Sequence, residues 1–379
     1  MVSPPARYLS RLHGVREKMR AASLNALVIS HPPNICYLTG FSGSAGLILL
    51  TETRCLLIAD FRYAAAARAL VESDQQLEDA IAVVVPPGSY DETLLDLLKE
   101  SGACRIGVEA AWMPVNRFNR LSASLAASTS PTGSSPSATL VPTERIVEEG
   151  RLIKDQDEVA TLREAARRLA VVSLEAPRLA REGRTELEVA GDIDVALRRH
   201  GFERPAFETI VASGPNSARP HARPGGRVLE PGDWVLLDFG GVYDGYCVDL
   251  SRTVQLGRPD LEFRRIFDAV AEAQRAAIAA VRPGVAAGAV DAAAREVLGR
   301  RGLADAFGHG TGHGLGLEVH EEPRIGRPLE GIEDILLAPG MVFTVEPGAY
   351  LEGIGGVRIE DDVLVTDMGC EVLTAAGRS

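Results

Sequence analysis

The chain has 379 residues, of which 46% are hydrophobic and 24% are charged, and its formal net charge is -12. This length exceeds the size at which a single core usually stops growing, so we expect two domains. The acidic balance, which no basic tract offsets, excludes nucleic acid as an expected partner. No apolar leader follows Met1 and no apolar run reaches membrane-spanning length, which excludes a membrane partner. The five cysteines are scattered without CxxC spacing, which is typical of reduced thiols and predicts a cytoplasmic protein.

Strands and helices alternate in the first part of the chain. Apolar runs bounded by turn residues predict strands over 26–30, 46–50, 55–59, 81–85 and 105–109. Helices are predicted over 5–22, 62–71 and 90–100, with a turn at 31–34. This alternation predicts a smaller α/β domain over residues 1–145. No Gly-x-Gly-x-x-Gly fingerprint follows its first strand, so a nucleotide site is not expected there.

The composition changes near the predicted domain boundary. Residues 122–139 are rich in Ser, Ala, Thr and Pro, which predicts a mobile loop or a helix end. Two pairs of helices follow. The first pair is predicted over 155–181 and from a capping box at residue 185, and the second pair over 261–281 and 285–301. Because each pair precedes a predicted hairpin, we expect residues 146–379 to form a pseudo-two-fold α+β domain with helices outside a curved sheet.

The two hairpins carry the same arrangement of acidic residues. In each copy a Pro-Gly turn precedes a mostly apolar run, which ends in Asp238 in the first copy and in Glu346 in the second. A second strand then supplies Asp249 or Glu360. The repeat places two carboxylates at neighbouring positions across each strand pair. A buried ionised carboxylate is very costly unless it is paired or binds a metal, so the repeat predicts a metal site.

Three of the seven histidines, His309, His313 and His320, lie in one glycine-rich stretch. Glycine permits close backbone approach, so we expect a close-packed loop or strand that presents imidazoles. Imidazole is a common metal ligand and a general acid or base near neutral pH. Four carboxylates with one imidazole suit an oxygen-preferring ion such as Mn²⁺, with Zn²⁺ or Co²⁺ as alternatives. Two such ions can activate a water and polarise a carbonyl.

Through these motifs, residues 150–379 resemble the creatinase/prolidase-type "pita-bread" metallopeptidases, which include Xaa-Pro aminopeptidases, Xaa-Pro dipeptidases and methionine aminopeptidases. Residues 1–140 are similar to the additional N-terminal domain of the Xaa-Pro enzymes, through segments 34–41 and 59–63. Methionine aminopeptidases usually lack this domain, so the resemblance favours the Xaa-Pro branch. It implies a creatinase-like N-terminal domain, a pita-bread catalytic domain and a homodimer.

The resemblance also implies a ligand set for two divalent metal ions. Carried over position by position, the set is Asp238, Asp249, His313, Glu346 and Glu360. Asp249 and Glu360 would bridge the ions. Asp238 would bind one ion, and His313 with Glu346 the other. All five residue types are intact, which argues against a metal-free relative such as creatinase.

The resemblance further implies catalytic roles for three residues. His320 would donate to the substrate carbonyl or the tetrahedral intermediate. His221 would contact the substrate near the nitrogen of the cleaved bond, and Glu346 would pass a proton to that nitrogen. The alternative for each histidine is a core histidine with satisfied hydrogen bonds.

Further residues are expected to bind substrate or to support the site. His309 would line the proline pocket or support His313. Tyr350 resembles a family tyrosine near the metals, and an ordinary core tyrosine is the alternative. Arg358 shares a strand face with Glu360, so it would balance the carboxylates, orient Glu360 or form a plain salt bridge.

The expected substrates are peptides with proline in the second position. An Xaa-Pro bond is a tertiary amide without an N–H, so a ring pocket and metals must replace the hydrogen bond that other peptidases make to the scissile N–H. Phe207 is a candidate for that pocket. The predicted activity is that of an Xaa-Pro aminopeptidase. An Xaa-Pro dipeptidase is the alternative, and a non-peptidase hydrolase or a binding protein is more distant. A dipeptidase must bind the proline carboxylate, for which Arg324 and Arg223 are candidates.

Overall fold

The computed structural model describes residues 4–127 and 138–375. The chain forms two compact units that divide after Arg151, whereas the sequence placed the boundary after residue 145. The Ser- and Pro-rich segment was predicted as a mobile loop or a helix end; residues 122–127 are the end of a helix, and residues 128–137 lie outside the described residues. Within the described ranges, no helix has the length and apolar content that a bilayer crossing requires.

The first unit is built around one mixed sheet. Its helices are α1 (Pro4–Ala21), α2 (Pro32–Thr39), α3 (Phe61–Val71), α4 (Gln75–Ala80), α5 (Tyr90–Ser101), α6 (Val115–Ala127) and α7 (Glu148–Arg151). Its strands are β1 (Ala26–Ile29), β2 (Leu47–Thr51), β3 (Cys55–Ile58), β4 (Ile81–Val84), β5 (Arg105–Glu109) and β6 (Thr139–Thr143). The strand order is β4-β3-β2-β1-β5-β6, with β1 antiparallel to β2 and parallel to β5. Every residue of β1 is buried, as expected for a continuous apolar run inside a sheet covered on both faces.

The prediction of a turn at residues 31–34 is wrong, because α2 begins at Pro32. Proline is tolerated in the first turn of a helix, where its fixed φ fits and its missing N–H needs no partner. Pro32 and Pro33 occupy that turn, and Gly40 ends the helix in the left-handed conformation at φ 77°. The Pro-Pro pair therefore marks a helix start.

The second unit contains two pairs of long helices and the carboxylate hairpins. Its helices are α8 (Gln156–Leu179), α9 (Glu186–Arg199), α10 (Leu261–Ala280) and α11 (Ala287–Arg300). Its strands are β7 (Arg204–Pro205), β8 (Ile210–Ser213), β9 (Trp234–Tyr243), β10 (Tyr246–Gln255), β11 (Gly312–Gly314), β12 (Glu321–Ile325), β13 (Val342–Val345), β14 (Gly348–Leu351), β15 (Gly355–Arg358), β16 (Asp361–Thr366) and β17 (Gly369–Val372). Capping boxes open α8 at Asp155 and α9 at Thr185, the second of which the sequence predicts.

The predicted repeat of two helices and a hairpin is visible in two separate hydrophobic cores. One core joins α8 and α9 to β9 and β10, and the other joins α10 and α11 to β13, β15 and β16. Alternation along β13 sends Val342 into the first core and Phe343 into the second. On β16, Leu364 packs in the first core and Val363 in the second. The sheet therefore lies between two helical layers, as the pseudo-two-fold prediction requires.

Candidate active site

A cavity of about 530 Å³ opens in the second unit. Both halves of the unit contribute to its wall, which includes Asp238 and Asp249 from the first hairpin and Glu346 and Glu360 from the second. His313 lines the same cavity. The structure thus brings together the five residues that the sequence assigned to the metal site.

The first hairpin presents its acids diagonally across the strand pair. Asp238 on β9 lies opposite Ser251 on β10, and Asp249 lies opposite Gly240. Asp249 and Ser251 are two residues apart on one strand, so their side chains share a face. Asp238 is 8% exposed and Asp249 is 5% exposed, as predicted for carboxylates that close apolar strands.

The second hairpin is interrupted where its acids lie, unlike the first, whose two strands pair continuously. Val345 pairs with Asp361, and Glu346 and Glu360 then fall between paired segments. Pro347 follows Glu346 and has no N–H with which to continue the ladder. Pairing resumes in β14 and β15. The interruption frees the two glutamates from strand pairing at the point where they face the cavity.

His313 reaches the acids from the short strand β11. Its Nε2 lies 3.8 Å from Asp249 Oδ2 and 3.7 Å from Glu346 Oε1. Its Nδ1 lies 3.2 Å from the carbonyl oxygen of Gly314, and a carbonyl only accepts, so Nδ1 carries the proton. Burial, reinforced by His320, lowers the pKa of His313 to about 4, which keeps the ring neutral. The Nε2 lone pair therefore faces the carboxylates.

Glycine on both sides of His313 makes this approach possible. A Cβ at Gly312 would collide with the carbonyl group of Thr344, and one at Gly314 would collide with that of Glu322. Only glycine lets the strand lie this close to its neighbours. This packing is the physical basis of the glycine-histidine alternation in the sequence.

The cluster is short of counter-charge in the described structure. Asp238 Oδ1, Asp249 Oδ1 and Glu360 Oε1 are buried and have no hydrogen-bond partner among the described residues. Burial, followed by the neighbouring carboxylates, raises the pKa of Asp249 and of Glu360 well above its usual value. Burial also raises the pKa of Glu346 to about 8. Unpaired carboxylate oxygens beside a neutral imidazole lone pair are the donor set that a divalent cation satisfies, so the residues fit a metal site.

A single arginine accounts for part of the buried negative charge. Arg358 donates from Nη2 to Asp238 Oδ2 at 2.5 Å and from Nε to Ser251 Oγ at 2.8 Å. Ser251 in turn donates to Glu360 Oε2 at 2.7 Å. Arg358 thus pairs directly with Asp238 and is linked to Glu360 through Ser251, and the three roles left open for it stay predictions. Sequence reasoning missed Ser251, although its position two residues after Asp249 could have indicated it.

Comparisons with known proteins identify the family of this site. Residues 160–367 match "Metallopeptidase family M24", and residues 11–153 match "Creatinase/Prolidase N-terminal domain". The chain belongs to metallopeptidase family M24.

Full-length relatives of this M24 chain include named Xaa-Pro peptidases. The Xaa-Pro dipeptidase of Pyrococcus furiosus is 32% identical over 370 residues, which is 97% of this chain and 98% of that protein. The solved Xaa-Pro dipeptidase from Bacillus anthracis has a TM-score of 0.89 at 33% identity, covering 98% of this chain and 99% of the other. The X-Pro aminopeptidase from Thermotoga maritima has a TM-score of 0.82 at 34% identity, covering 96% and 99%. The predicted creatinase-like N-terminal domain and pita-bread catalytic domain are confirmed, and the chain is a hydrolase.

Two of the predicted substrate-binding residues of the M24 domain contact each other. His309 Nδ1 lies 2.8 Å from the carbonyl oxygen of Gly310 and therefore carries the proton. His309 Nε2 consequently accepts from the Tyr350 hydroxyl at 2.9 Å, and Arg358 donates to the same hydroxyl at 2.8 Å. Burial, together with Arg358, lowers the pKa of His309 to about 4. His309 lines the cavity, whereas Tyr350 lies behind its wall.

The other predicted residues of the M24 site lie on the open part of the cavity wall. His221, His320 and Arg324 all line it, together with Phe207. The rings of His320 and His313 have centroids 4.3 Å apart. Burial, followed by His221, lowers the pKa of His320. His320 thus adds, beside His313, a second imidazole whose neutral form burial favours.

The two candidate arginines differ in their surroundings. The Arg223 side chain is 85% exposed and lies 3.5 Å from a carboxylate oxygen of Glu208. Arg324 donates to the carbonyl oxygen of Arg327 at 2.8 Å and forms no ion pair in the part of the chain that the structure describes. Arg324 therefore offers the cavity a guanidinium that pairs with no carboxylate of the described residues, although the Glu322 carboxylate accepts from the Arg324 backbone N–H at 2.9 Å.

Proposed function

We propose that the chain is an Xaa-Pro exopeptidase, which hydrolyses the bond between an N-terminal residue and proline. The observation that carries the proposal is the cavity floor, where buried carboxylates with unpartnered oxygens surround a neutral His313. The names of the full-length M24 relatives support the choice of Xaa-Pro substrates. A non-peptidase hydrolase or a binding protein receives less support, because all five ligand residues are present.

The metal site is proposed to hold two divalent ions, with Mn²⁺ as the expected metal. Asp249 and Glu360 would be shared ligands, Asp238 would serve one ion, and His313 with Glu346 would serve the other. The chemistry that such ions supply when bound is a water acidified towards neutral pH and a polarised carbonyl. A homodimer remains a prediction of the family resemblance.

The remaining steps are proposed for side chains of the cavity wall. His320 would donate an N–H to the carbonyl oxygen of the scissile bond, where negative charge develops. Glu346 would take the proton of the attacking water on a carboxylate oxygen and give it to the proline nitrogen as the C–N bond breaks. His221 would lie near that nitrogen. Phe207 offers an apolar surface for the proline ring, which has no N–H to be bound.

The length of the substrate is proposed to be set at Arg324. A carboxylate is best bound by a guanidinium, and Arg324 lines the cavity without an acidic partner in the described structure. This observation supports a dipeptidase, in which Arg324 binds the proline carboxylate. The sequence favoured an aminopeptidase, which is the second candidate. The structural similarity to the Thermotoga maritima X-Pro aminopeptidase supports it.

A peptide-length series separates the two candidates. The purified protein is supplied with Mn²⁺, and kcat/KM is measured for Ala-Pro, Ala-Pro-Ala and a pentapeptide that begins Ala-Pro. The dipeptidase proposal requires a clear preference for Ala-Pro. Equal or faster cleavage of the longer peptides would establish the aminopeptidase instead. Cleavage of none of them, by a protein shown to bind metal, would contradict the Xaa-Pro assignment.

A further inference from the structure

Two buried carboxylates lie behind the cavity wall and have no part in the proposed chemistry. Glu186 is the first residue of α9 and Asp291 lies within α11, and each is 1% exposed. Each belongs to the second helix of its half of the pseudo-two-fold domain. Each accepts hydrogen bonds from a loop that carries a histidine of the cavity. We name these the His221 loop (residues 213–225) and the His309 loop (residues 307–311).

Glu186 binds both ends of the His221 loop. Its Oε1 accepts from the backbone N–H of Ser213 at 2.7 Å and from the Ser213 hydroxyl at 2.8 Å. The same oxygen accepts from Asn216 Nδ2 at 3.0 Å. Its Oε2 accepts from the backbone N–H of Gly225 at 3.2 Å. One carboxylate therefore fixes the points at which the loop leaves and re-enters the body of the domain.

The His221 loop is also the wall that faces the substrate. Its consecutive residues 220–224 all line the cavity. The carbonyl oxygen of Pro220 accepts from Arg358 Nη1 at 3.2 Å, which ties the middle of the loop to the site. A shift at the ends of the loop would therefore move His221 relative to the metal ligands. Misplacement of about 1 Å by a remote change can cost about 10²-fold in rate.

Asp291 holds the other loop and, through it, a metal ligand. Its Oδ1 accepts from the backbone N–H of Thr311 at 3.1 Å and from the Thr311 hydroxyl at 2.9 Å. Arg295 pairs with Asp291 at 2.7 Å and donates to the carbonyl oxygen of Phe307 at 3.0 Å. The carbonyl oxygen of Thr311 accepts from the backbone N–H of Glu346 at 2.7 Å. Asp291 therefore supports Glu346 as well as the loop.

We propose that Glu186 and Asp291 are positioning residues with separate tasks. Glu186 sets the substrate side of the site by holding the His221 loop, and Asp291 sets the metal side by holding the backbone that contacts Glu346. An ionised carboxylate that accepts several N–H and O–H groups makes stronger and better-directed bonds than a neutral acceptor. This division of tasks rests on the proposed function for its kinetic consequences, but its structural consequences can be measured without any substrate.

The test for Glu186 is Glu186→Gln, compared with Glu109→Gln in the first unit. Glu109 is a matched control, because it is 6% exposed and also accepts from backbone and side-chain donors, on Ser30, His31 and Asn34. In Glu186→Gln the amide NH₂ faces a donor, so amide hydrogen exchange in residues 213–225 should become faster. We expect kcat/KM for the best substrate to fall by up to about 10²-fold, with Mn²⁺ affinity unchanged. Glu109→Gln should leave both the exchange in this loop and kcat/KM unaltered.

A milder variant covers the case in which Glu186→Gln does not fold. Asn216→Ala removes one donor from a half-buried position and should change exchange and kcat/KM in the same direction. The proposal for Glu186 is overturned if exchange in the His221 loop does not change in the folded variant, or if Glu109→Gln lowers kcat/KM equally. If the wild-type protein cleaves no Xaa-Pro peptide, the proposed function fails, and the exchange result still decides the role of Glu186.

The test for Asp291 uses metal affinity as its readout. Asp291→Asn should weaken Mn²⁺ binding by about 10–100-fold, the usual cost of losing a residue that supports a ligand. Thr311→Val removes only the hydroxyl donor and should weaken Mn²⁺ binding less. Thr311→Ser keeps the hydroxyl and should bind Mn²⁺ with wild-type affinity. Calorimetric titration of the metal-stripped proteins with Mn²⁺ measures all three. Wild-type affinity in folded Asp291→Asn would overturn the assignment, and so would a weakening of the same size in Glu186→Gln.

Discussion

Arg358 and Asp238 form a buried ion pair that joins the two hairpins of the catalytic domain. Arg358 Nη2 donates to Asp238 Oδ2 at 2.5 Å, and the two side chains are 3% and 11% exposed. Asp238 Oδ1 stays without a partner among the described residues. The same carboxylate can therefore accept a structural hydrogen bond on one oxygen and serve a cation with the other.

Arg358→Met should destabilise the metal-free protein strongly. Removing one partner of a buried pair leaves an uncompensated charge and costs about 3–5 kcal/mol. Arg163→Met is the matched control, because Arg163 pairs with Glu371 at the surface, where side chains are 49% and 39% exposed. An exposed pair contributes about 0–1 kcal/mol. Urea denaturation at pH 7 measures both free energies of unfolding, and equal losses would contradict the importance given to the buried pair.

Metal removal should abolish hydrolysis, and added Mn²⁺ should restore it. Asp249→Asn and Glu360→Gln should lose both ions, since each side chain is proposed to be shared. Asp238→Asn should retain one ion. Elemental analysis of the purified variants gives the metal content per chain. Full activity of the chelator-treated protein would refute the metal site.

The metal-free protein should become less stable as the pH rises. Burial raises the pKa of Glu346 from 4.5 to about 8, and the pKa values of Asp249 and Glu360 are raised as well. The folded protein therefore binds more protons than the unfolded chain, and stability falls with increasing pH. His309 and His313, whose pKa values burial lowers from 6.5 to about 4, oppose this trend below pH 6.5, so the fall should be steepest between about pH 6.5 and pH 8. Melting temperatures with and without Mn²⁺ should diverge across this window, and parallel curves would show that these acids do not titrate as described.

His320→Ala should lower kcat without removing the metal. Loss of one donor to the developing oxyanion typically costs about 10²–10³-fold in kcat. Mn²⁺ affinity should stay near the wild-type value, because His313 and not His320 is the proposed ligand. Steady-state kinetics and a metal titration on the same preparation separate the two effects. A folded variant that lost its metal would reassign His320 as a ligand.

Arg324→Ala should raise KM for Ala-Pro while changing little for Ala-Pro-Ala. The guanidinium is proposed to bind the carboxylate of a C-terminal proline, and the tripeptide places that carboxylate one residue further away. Arg223→Ala is the comparison, since Arg223 also lines the cavity but its side chain lies near Glu208 and is mostly exposed, so a smaller effect is expected. Equal effects of Arg324→Ala on both peptides would remove the carboxylate-binding role.

Many helices and strands could be predicted from sequence because they depend on short-range patterns. Alternating or continuous apolar runs predicted the strands of the first unit, and the capping box at Thr185 predicted the start of α9. The prediction failed at Pro32-Pro33, because a Pro-Pro dipeptide can begin either a turn or a helix, and here it begins α2. The repeated Pro-Gly turns with terminal acids indicated Asp238 and Glu346 without any knowledge of the fold.

Residue types and the spacing of the repeat were enough to indicate which positions could bind metal. How those side chains meet depends on the packing of segments that lie far apart in the chain. Strand patterns did not indicate that the second hairpin is interrupted at Glu346 and Glu360. They also did not indicate the Ser251 link between Arg358 and Glu360 or the Tyr350–His309 contact, because these residues lie far apart in the chain. The charge state of the site was also decided by the tertiary structure, because burial and neighbouring charges shift each pKa. Periodicity fixes the face on which a side chain lies, but its partners depend on which distant segments pack against that face.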